Sequence, residues 1–76
     1  MTIIVRFFAS LRETMGDDRT LEKEQVETVE DVWKAFSDNQ EMPVNTLMSV
    51  NMDYVDAKTT VSDGDEVAFF PPVTGG

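Results

Sequence analysis

The chemistry of this chain is concentrated where it has the least side chain. The sequence closes on Phe69-Phe70-Pro71-Pro72-Val73-Thr74-Gly75-Gly76. Two consecutive prolines donate no ladder hydrogen bond and hold the backbone extended, so they form a stiff spacer. Gly75 and Gly76 have no Cβ and let the backbone pass where any side chain would clash. A carboxylate at the end of such a spacer can be threaded into a narrow active site on another protein. As it stands, that carboxylate is a poor acyl donor, because its charge repels nucleophiles. The competing reading is a frayed end, which is common at chain termini.

The residue inventory narrows what else the chain can do. It has no cysteine and no histidine. Disulfides and thiolate metal sites are therefore excluded, and so are the usual general base and the commonest metal ligand. The formal net charge of −9 makes nucleic acid and anionic membrane poor partners and a basic protein surface a good one, although the same charge also serves solubility. The longest apolar stretches, Ile3-Ile4-Val5 and Val67 to Val73, are far too short to span a bilayer. No basic region followed by a long apolar run opens the chain, so no signal peptide is expected and the domain reads as cytoplasmic. With 76 residues the expectation is one domain over 1–76 with a small core, burying about 60% of the unfolded surface. Residues 71–76 are expected to form its flexible functional tail.

The elements behind the tail follow from periodicity. Thr2 to Phe8 reads as a strand, with Ile3, Val5 and Phe7 on the core face and Ile4, Arg6 and Phe8 on the other. Ala9 to Met15 reads as a short helical segment ended by Gly16. Arg19 to Val26 alternates as a more polar edge strand, paired with the first through a long turn. Thr28 to Asp38 carries the helix signal. Thr28 is the N-cap, Asp31 stands three residues on, and Val29, Val32, Trp33 and Phe36 form one apolar stripe. That stripe assigns Trp33 to the core rather than to a ligand platform. Residues 39–46 form a connection. Leu47 to Asn51 is a short strand, Asn51-Met52-Asp53 a turn, and Tyr54 to Asp56 a further short strand. Ala57 to Asp63 is irregular. Ser62-Asp63-Gly64-Asp65 is a tight turn, lacking the spaced oxygen ligands of a calcium loop. Glu66 to Phe70 is the last strand. A helix placed among strands in this order gives an α+β class, with a mixed sheet packed on one central helix. The alternation projects Phe8 and Phe70 from the far face of that sheet, where Tyr54 can join them. Exposed aromatics grouped on one face commonly mark a partner site. Arg12, Asp63, Asp65 and Glu66 read either as rim contacts or as solubilising surface.

This layout, with its extended Gly-Gly end, resembles the ubiquitin-like β-grasp fold. The run from Asp63-Gly64-Asp65-Glu66-Val67-Ala68-Phe69-Phe70 to Pro71-Pro72-Val73-Thr74-Gly75-Gly76 is similar to the ending of the molybdopterin synthase small-subunit family. These are the MoaD-type sulfur carriers of the MoaD/ThiS ubiquitin-like group. Phe7-Phe8-Ala9 with Leu11-Arg12-Glu13 resembles the first strand and turn of that family, and Val50-Asn51 its middle strand.

The resemblance implies a sulfur carrier for molybdenum cofactor biosynthesis. An E1-like enzyme would adenylate the Gly76 carboxylate with ATP. A sulfur donor protein would then displace AMP, leaving a thiocarboxylate. The large catalytic subunit, in a heterotetramer of two small and two large subunits, would pass that sulfur to a pterin precursor. The carrier would bind no cofactor and hold no active site of its own. Gly76 and Gly75 would carry the chemistry, and Phe8, Tyr54, Phe70, Pro71, Pro72, Val73 and Thr74 would meet partners. Three other readings stay open. A thiamine-pathway carrier shares the Gly-Gly end, though the Phe-Phe-Pro-Pro run favours the molybdopterin branch. A ubiquitin-like modifier would end in an isopeptide bond to lysine, and an acidic binding module would have an inert tail.

Overall fold

Alternation in Thr2–Phe7, strand β1, decides which way the sheet faces. Ile3, Val5 and Phe7 are wholly buried, while Ile4 between them is 44% exposed. The computed structural model describes residues 2–22, 26–37 and 40–71. After β1 come helix α1 (Ala9–Met15), β2 (Arg19–Glu22), helix α2 (Val29–Phe36), β3 (Leu47–Val50), β4 (Asp53–Val55) and β5 (Glu66–Phe70). The strands form one sheet in the order β2-β1-β5-β3-β4. Only β1 and β5 run parallel; the other pairs are antiparallel. The sheet is therefore mixed, and the more polar β2 lies at its edge, as expected.

Register carries the core across the sheet. Val5 stands opposite Val67, which stands opposite Val50; Phe7 stands opposite Phe69, which stands opposite Met48. On these rows sits α2, whose Val29 and Val32 are wholly buried and whose Trp33 is 3% exposed. The core centre is aromatic. Phe7 stacks on Phe69 at 5.8 Å between ring centroids, while Trp33 meets Phe69 edge-on at 5.1 Å and Phe36 meets Phe7 edge-on at 5.9 Å. Edge-on pairs of this kind each add about 0.5–1.5 kcal/mol beyond the area they bury.

The ends of α2 are set locally. The Thr28 hydroxyl accepts from the Asp31 N–H at 3.3 Å, and the Asp31 carboxylate accepts from the N–H groups of Thr28 (3.1 Å) and Glu27 (3.2 Å). This reciprocal arrangement satisfies donors that the first helical turn leaves unpaired. The N–H groups of Val29 and Glu30 donate to the carbonyls of Thr59 and Ala57, so the irregular 57–61 segment completes the cap. At the other end α2 stops at Phe36, and the Ser37 N–H donates to the Trp33 carbonyl. Asp38, expected to finish the helix, and Asn39, expected to open the connection, lie outside the described residues. Gly16 ends α1 at φ +98, and a Cβ there would lie 2.6 Å from the Arg19 guanidinium.

Some boundaries differ from expectation. The second strand was expected to run to Val26; it is described from Arg19 to Glu22, residues 23–25 lie outside the described set, and Val26 is not part of it. Val26 is buried in the core, and the neighbouring Glu27 carbonyl accepts from the Val61 N–H at 2.9 Å. Val26 thus belongs to the core rather than to the sheet edge. Val61 itself is buried, although a lone apolar residue in an irregular stretch has no period to announce it. The β3–β4 strands are joined by a two-residue turn, so Asn51 belongs to the turn and Asp53 pairs with Val50.

Candidate functional site

The outward face of the sheet holds the groups singled out by alternation. Register places Arg6, Ala68, Ser49 and Tyr54 in one row across β1, β5, β3 and β4. Leu47 stands opposite Phe70 in the next row. Phe8 extends β1 by one residue: its backbone is extended and its N–H donates to the Phe69 carbonyl at 3.1 Å. That hydrogen bond keeps the alternation going and brings the Phe8 ring out beside Phe70.

Phe8 and Phe70 stack at 4.6 Å between centroids, with their planes 12° apart. Tyr54 meets Phe70 at 6.0 Å in a tilted contact and is 73% exposed. The rings therefore cover one another in part, yet both phenylalanines remain only half-buried. In the centre of the face the side chains are small. Ala68 and Ser49 are buried there, so the surface sinks to a hollow of about 230 Å³ bounded by Arg6, Phe8, Phe70, Tyr54, Met52 and Glu66. An apolar hollow walled by aromatic rings is what a partner's projecting side chain can fill.

Electrostatics fix one wall. The Arg6 guanidinium lies 5.3 Å from the Phe8 ring centroid and donates to Glu66 at 3.0 Å and to Asp18 at 3.2 Å. Hydrogen bonds to Glu66 and then Asp18 raise its pKa further above an already high value, so the group stays cationic. The ion pairs are half-exposed and add little to stability. Their effect is to hold one rotamer of Arg6 over the Phe8 ring.

The acids considered as rim contacts are engaged within the chain. Asp63 accepts from the Thr2 N–H at 2.7 Å. Asp65 accepts from the Ser62 N–H at 2.7 Å and from the Asn51 side-chain Nδ2 at 3.0 Å, and the Asn51 side-chain Oδ1 accepts from the Glu66 N–H at 3.0 Å. These bonds close the 62–65 turn and tie it to the β3–β4 turn. Arg12 pairs with Asp17 at 3.4 Å. Among the described residues no cluster of acidic, histidine or cysteine side chains is arranged to hold a metal ion, and no helix is long and apolar enough to cross a membrane.

Pro71, half-buried, follows Phe70 directly, so the chain leaves the sheet from the edge of the hollow. Pro72, Val73, Thr74, Gly75 and Gly76 lie outside the described residues. The structure thus groups Phe8, Tyr54 and Phe70 on one face next to Pro71. Sequence reasoning passed over the small floor of Ser49 and Ala68, which only register reveals. It also read Met52 as a turn residue alone, although a methionine standing where a turn favours glycine is a visible signal.

Comparison with known proteins agrees on the kind of molecule. The profile of the ThiS family matches residues 5–76. The chain is 42% identical to the molybdopterin synthase sulfur carrier subunit of Escherichia coli (strain K12), over 97% of this chain and 99% of that one. In structure it is similar to SAMP1 from Haloferax volcanii, with a TM-score of 0.79 at 22% identity and all of both chains covered. It is also similar to a chain in the protein–protein complex of subunits 1 and 2 of molybdopterin-converting factor from Helicobacter pylori 26695. There the TM-score is 0.68 at 22% identity, again with both chains fully covered.

Proposed function

This chain belongs to the ThiS family and has the ubiquitin-like β-grasp fold, and we propose that it is the sulfur carrier subunit of a molybdopterin synthase. The observation that carries the reading is the near-full-length 42% identity to a protein of that name. The partner follows by the same route: a structurally similar chain sits in a complex of the two subunits of molybdopterin-converting factor.

The division of labour is set by the residues. With no histidine or cysteine, the chain brings an acyl group to catalysts on other proteins. An E1-like activating enzyme joins the Gly76 carboxylate oxygen to the α-phosphorus of ATP, and pyrophosphate leaves. The terminal sulfur of a donor protein's persulfide attacks the acyl carbon and AMP departs. A thiol then attacks the donor's sulfur, breaking the S–S bond of the acyl disulfide and forming a disulfide with the donor, and a thiocarboxylate remains on Gly76. In the large subunit that sulfur passes to the pterin precursor, and hydrolysis restores the carboxylate. Gly75 and Gly76 serve by their narrowness. Pro71 and Pro72 lower the ordering cost when the tail enters a channel, since their backbone is already restricted. The Phe8, Phe70 and Tyr54 face anchors the domain so that the tail, with Val73 and Thr74, starts from a fixed point.

The test is the intact mass of the protein after incubation with ATP, an E1-like activating enzyme and a sulfur source. A gain equal to one oxygen exchanged for one sulfur, mapped to Gly76, is expected. The loaded form should then convert the pterin precursor when the large subunit is added. No gain with a demonstrably active enzyme would refute a carrier role, and a loaded form inert towards the pterin would move the chain to another sulfur pathway.

A further inference from the structure

The β3–β4 turn contains a residue that folding alone does not explain. Its two central residues, Asn51 and Met52, have φ of +50 and +74. Such two-residue hairpin turns favour Asn-Gly, because both positions are left-handed and a side chain with a Cβ is disfavoured there. Asn51 suits its place, since its side chain bonds both Asp65 and the Glu66 N–H. Met52 stands where glycine would be better, and it is 88% exposed. Strained backbone carrying an exposed apolar side chain is a pointer to function.

We infer that Met52 is a contact residue for the synthase large subunit, gripping it at the end of the hollow opposite Phe70. Met52 lines the same hollow as Phe8, Tyr54 and Phe70. Register sets the two ends of that hollow: Phe70 pairs with Leu47, at the start of β3, whereas Asn51 bonds Glu66, at the start of β5. Two anchors at opposite ends fix orientation as well as position, which a single aromatic stack does not. An unbranched thioether fills irregular apolar surfaces well. Glu66 lines the same hollow, and the chain's net charge is −9, so the surface favours a partner patch that is apolar at its centre and basic at its rim.

The inference rests on the carrier reading, and the experiment separates the two. Binding of the wild-type chain, Met52→Gly and Met52→Leu to the cognate large subunit is measured by calorimetry, alongside the melting temperature of each. Met52→Gly should relieve the turn and raise the melting temperature by about 3–6 °C, yet weaken binding by about fivefold or more. Met52→Leu should bind within about twofold of wild type, as an apolar swap of similar volume. Unchanged affinity in Met52→Gly, or equal loss in both variants, overturns the contact role while the carrier reading stands. Failure of the wild-type chain to bind the large subunit overturns both.

Discussion

The rings of Phe8 and Phe70 lie face to face, 4.6 Å apart, although they come from opposite ends of the chain. The parallel pairing of β1 with β5 makes this possible. It sets Phe7 opposite Phe69 on the core side and so leaves the next residue of each strand on the outer side. One register therefore builds the core and the exposed face together. It also places the root of the tail beside that face, because Pro71 follows Phe70.

Phe70→Ala should weaken binding to the large subunit by about 1–3 kcal/mol, the cost of removing an aromatic anchor from an interface centre. The domain should stay folded, because Phe70 is only half-buried and the core is filled from the opposite face. A dissociation constant equal to wild type, measured with a variant that melts cooperatively, would remove Phe70 from the interface.

Deletion of Gly76 should abolish sulfur loading and leave the melting curve in place. Among the described residues the buried core runs from Ile3 to Phe69, with nothing contributed from beyond β5. The check is intact mass after the loading reaction, paired with a thermal melt of the shortened chain. Loading of that chain at the wild-type rate would mean the acyl group is not on Gly76.

Trp33→Ala should destabilise the domain by about 3–5 kcal/mol, through the cavity it leaves between Phe7 and Phe69. For a small domain that is a large share of the total. Trp33→Phe should cost much less, about 1 kcal/mol. It keeps a ring in the cluster, and among the described residues the buried Trp33 Nε1–H has no hydrogen-bond partner. Chemical denaturation of the three proteins decides it. A Phe variant as damaged as the Ala variant would show that the core depends on the full indole and not merely on a ring at this position.

Much of this was legible in the chain itself, and the reasons differ by element. The stripe of Val29, Val32, Trp33 and Phe36 and the Thr28 cap are local signals, and helix α2 follows them closely. The split of β1 into a core face and an outer face follows from a period of two, and with it the placement of Phe8 and Phe70. Val26 and Val61 were not legible as core, because each is a single apolar residue in a stretch whose path depends on the 57–61 segment meeting the start of α2. The hollow was hidden for a similar reason: Ser49 and Ala68 become neighbours only when β3 pairs with β5. The identity of the relatives, and with it the sulfur carrier reading, came through the C-terminal run far more than through the middle of the chain.

The α2 cap should make stability depend on pH in a defined direction. Partial burial of the Asp31 carboxylate works against its charge, but the N–H groups of Thr28 and Glu27 and the Thr28 hydroxyl outweigh it, with help from Lys34. The carboxyl is therefore held below its ordinary value, about 4. In the unfolded chain these donors are lost, so near that pH the unfolded state binds more protons and stability rises with pH. The contribution is complete above the unfolded value and is lost as pH falls through the lowered folded one. Asp31→Ala should cost about 0.5–1 kcal/mol at neutral pH, the lower end of the range for a cap because the carboxylate faces solvent. Denaturation at pH 7 and at about pH 3 should show the gap between variant and wild type shrinking at the acid end. A gap of the same size at both would assign the cap to the Thr28 hydroxyl, with the carboxylate a bystander.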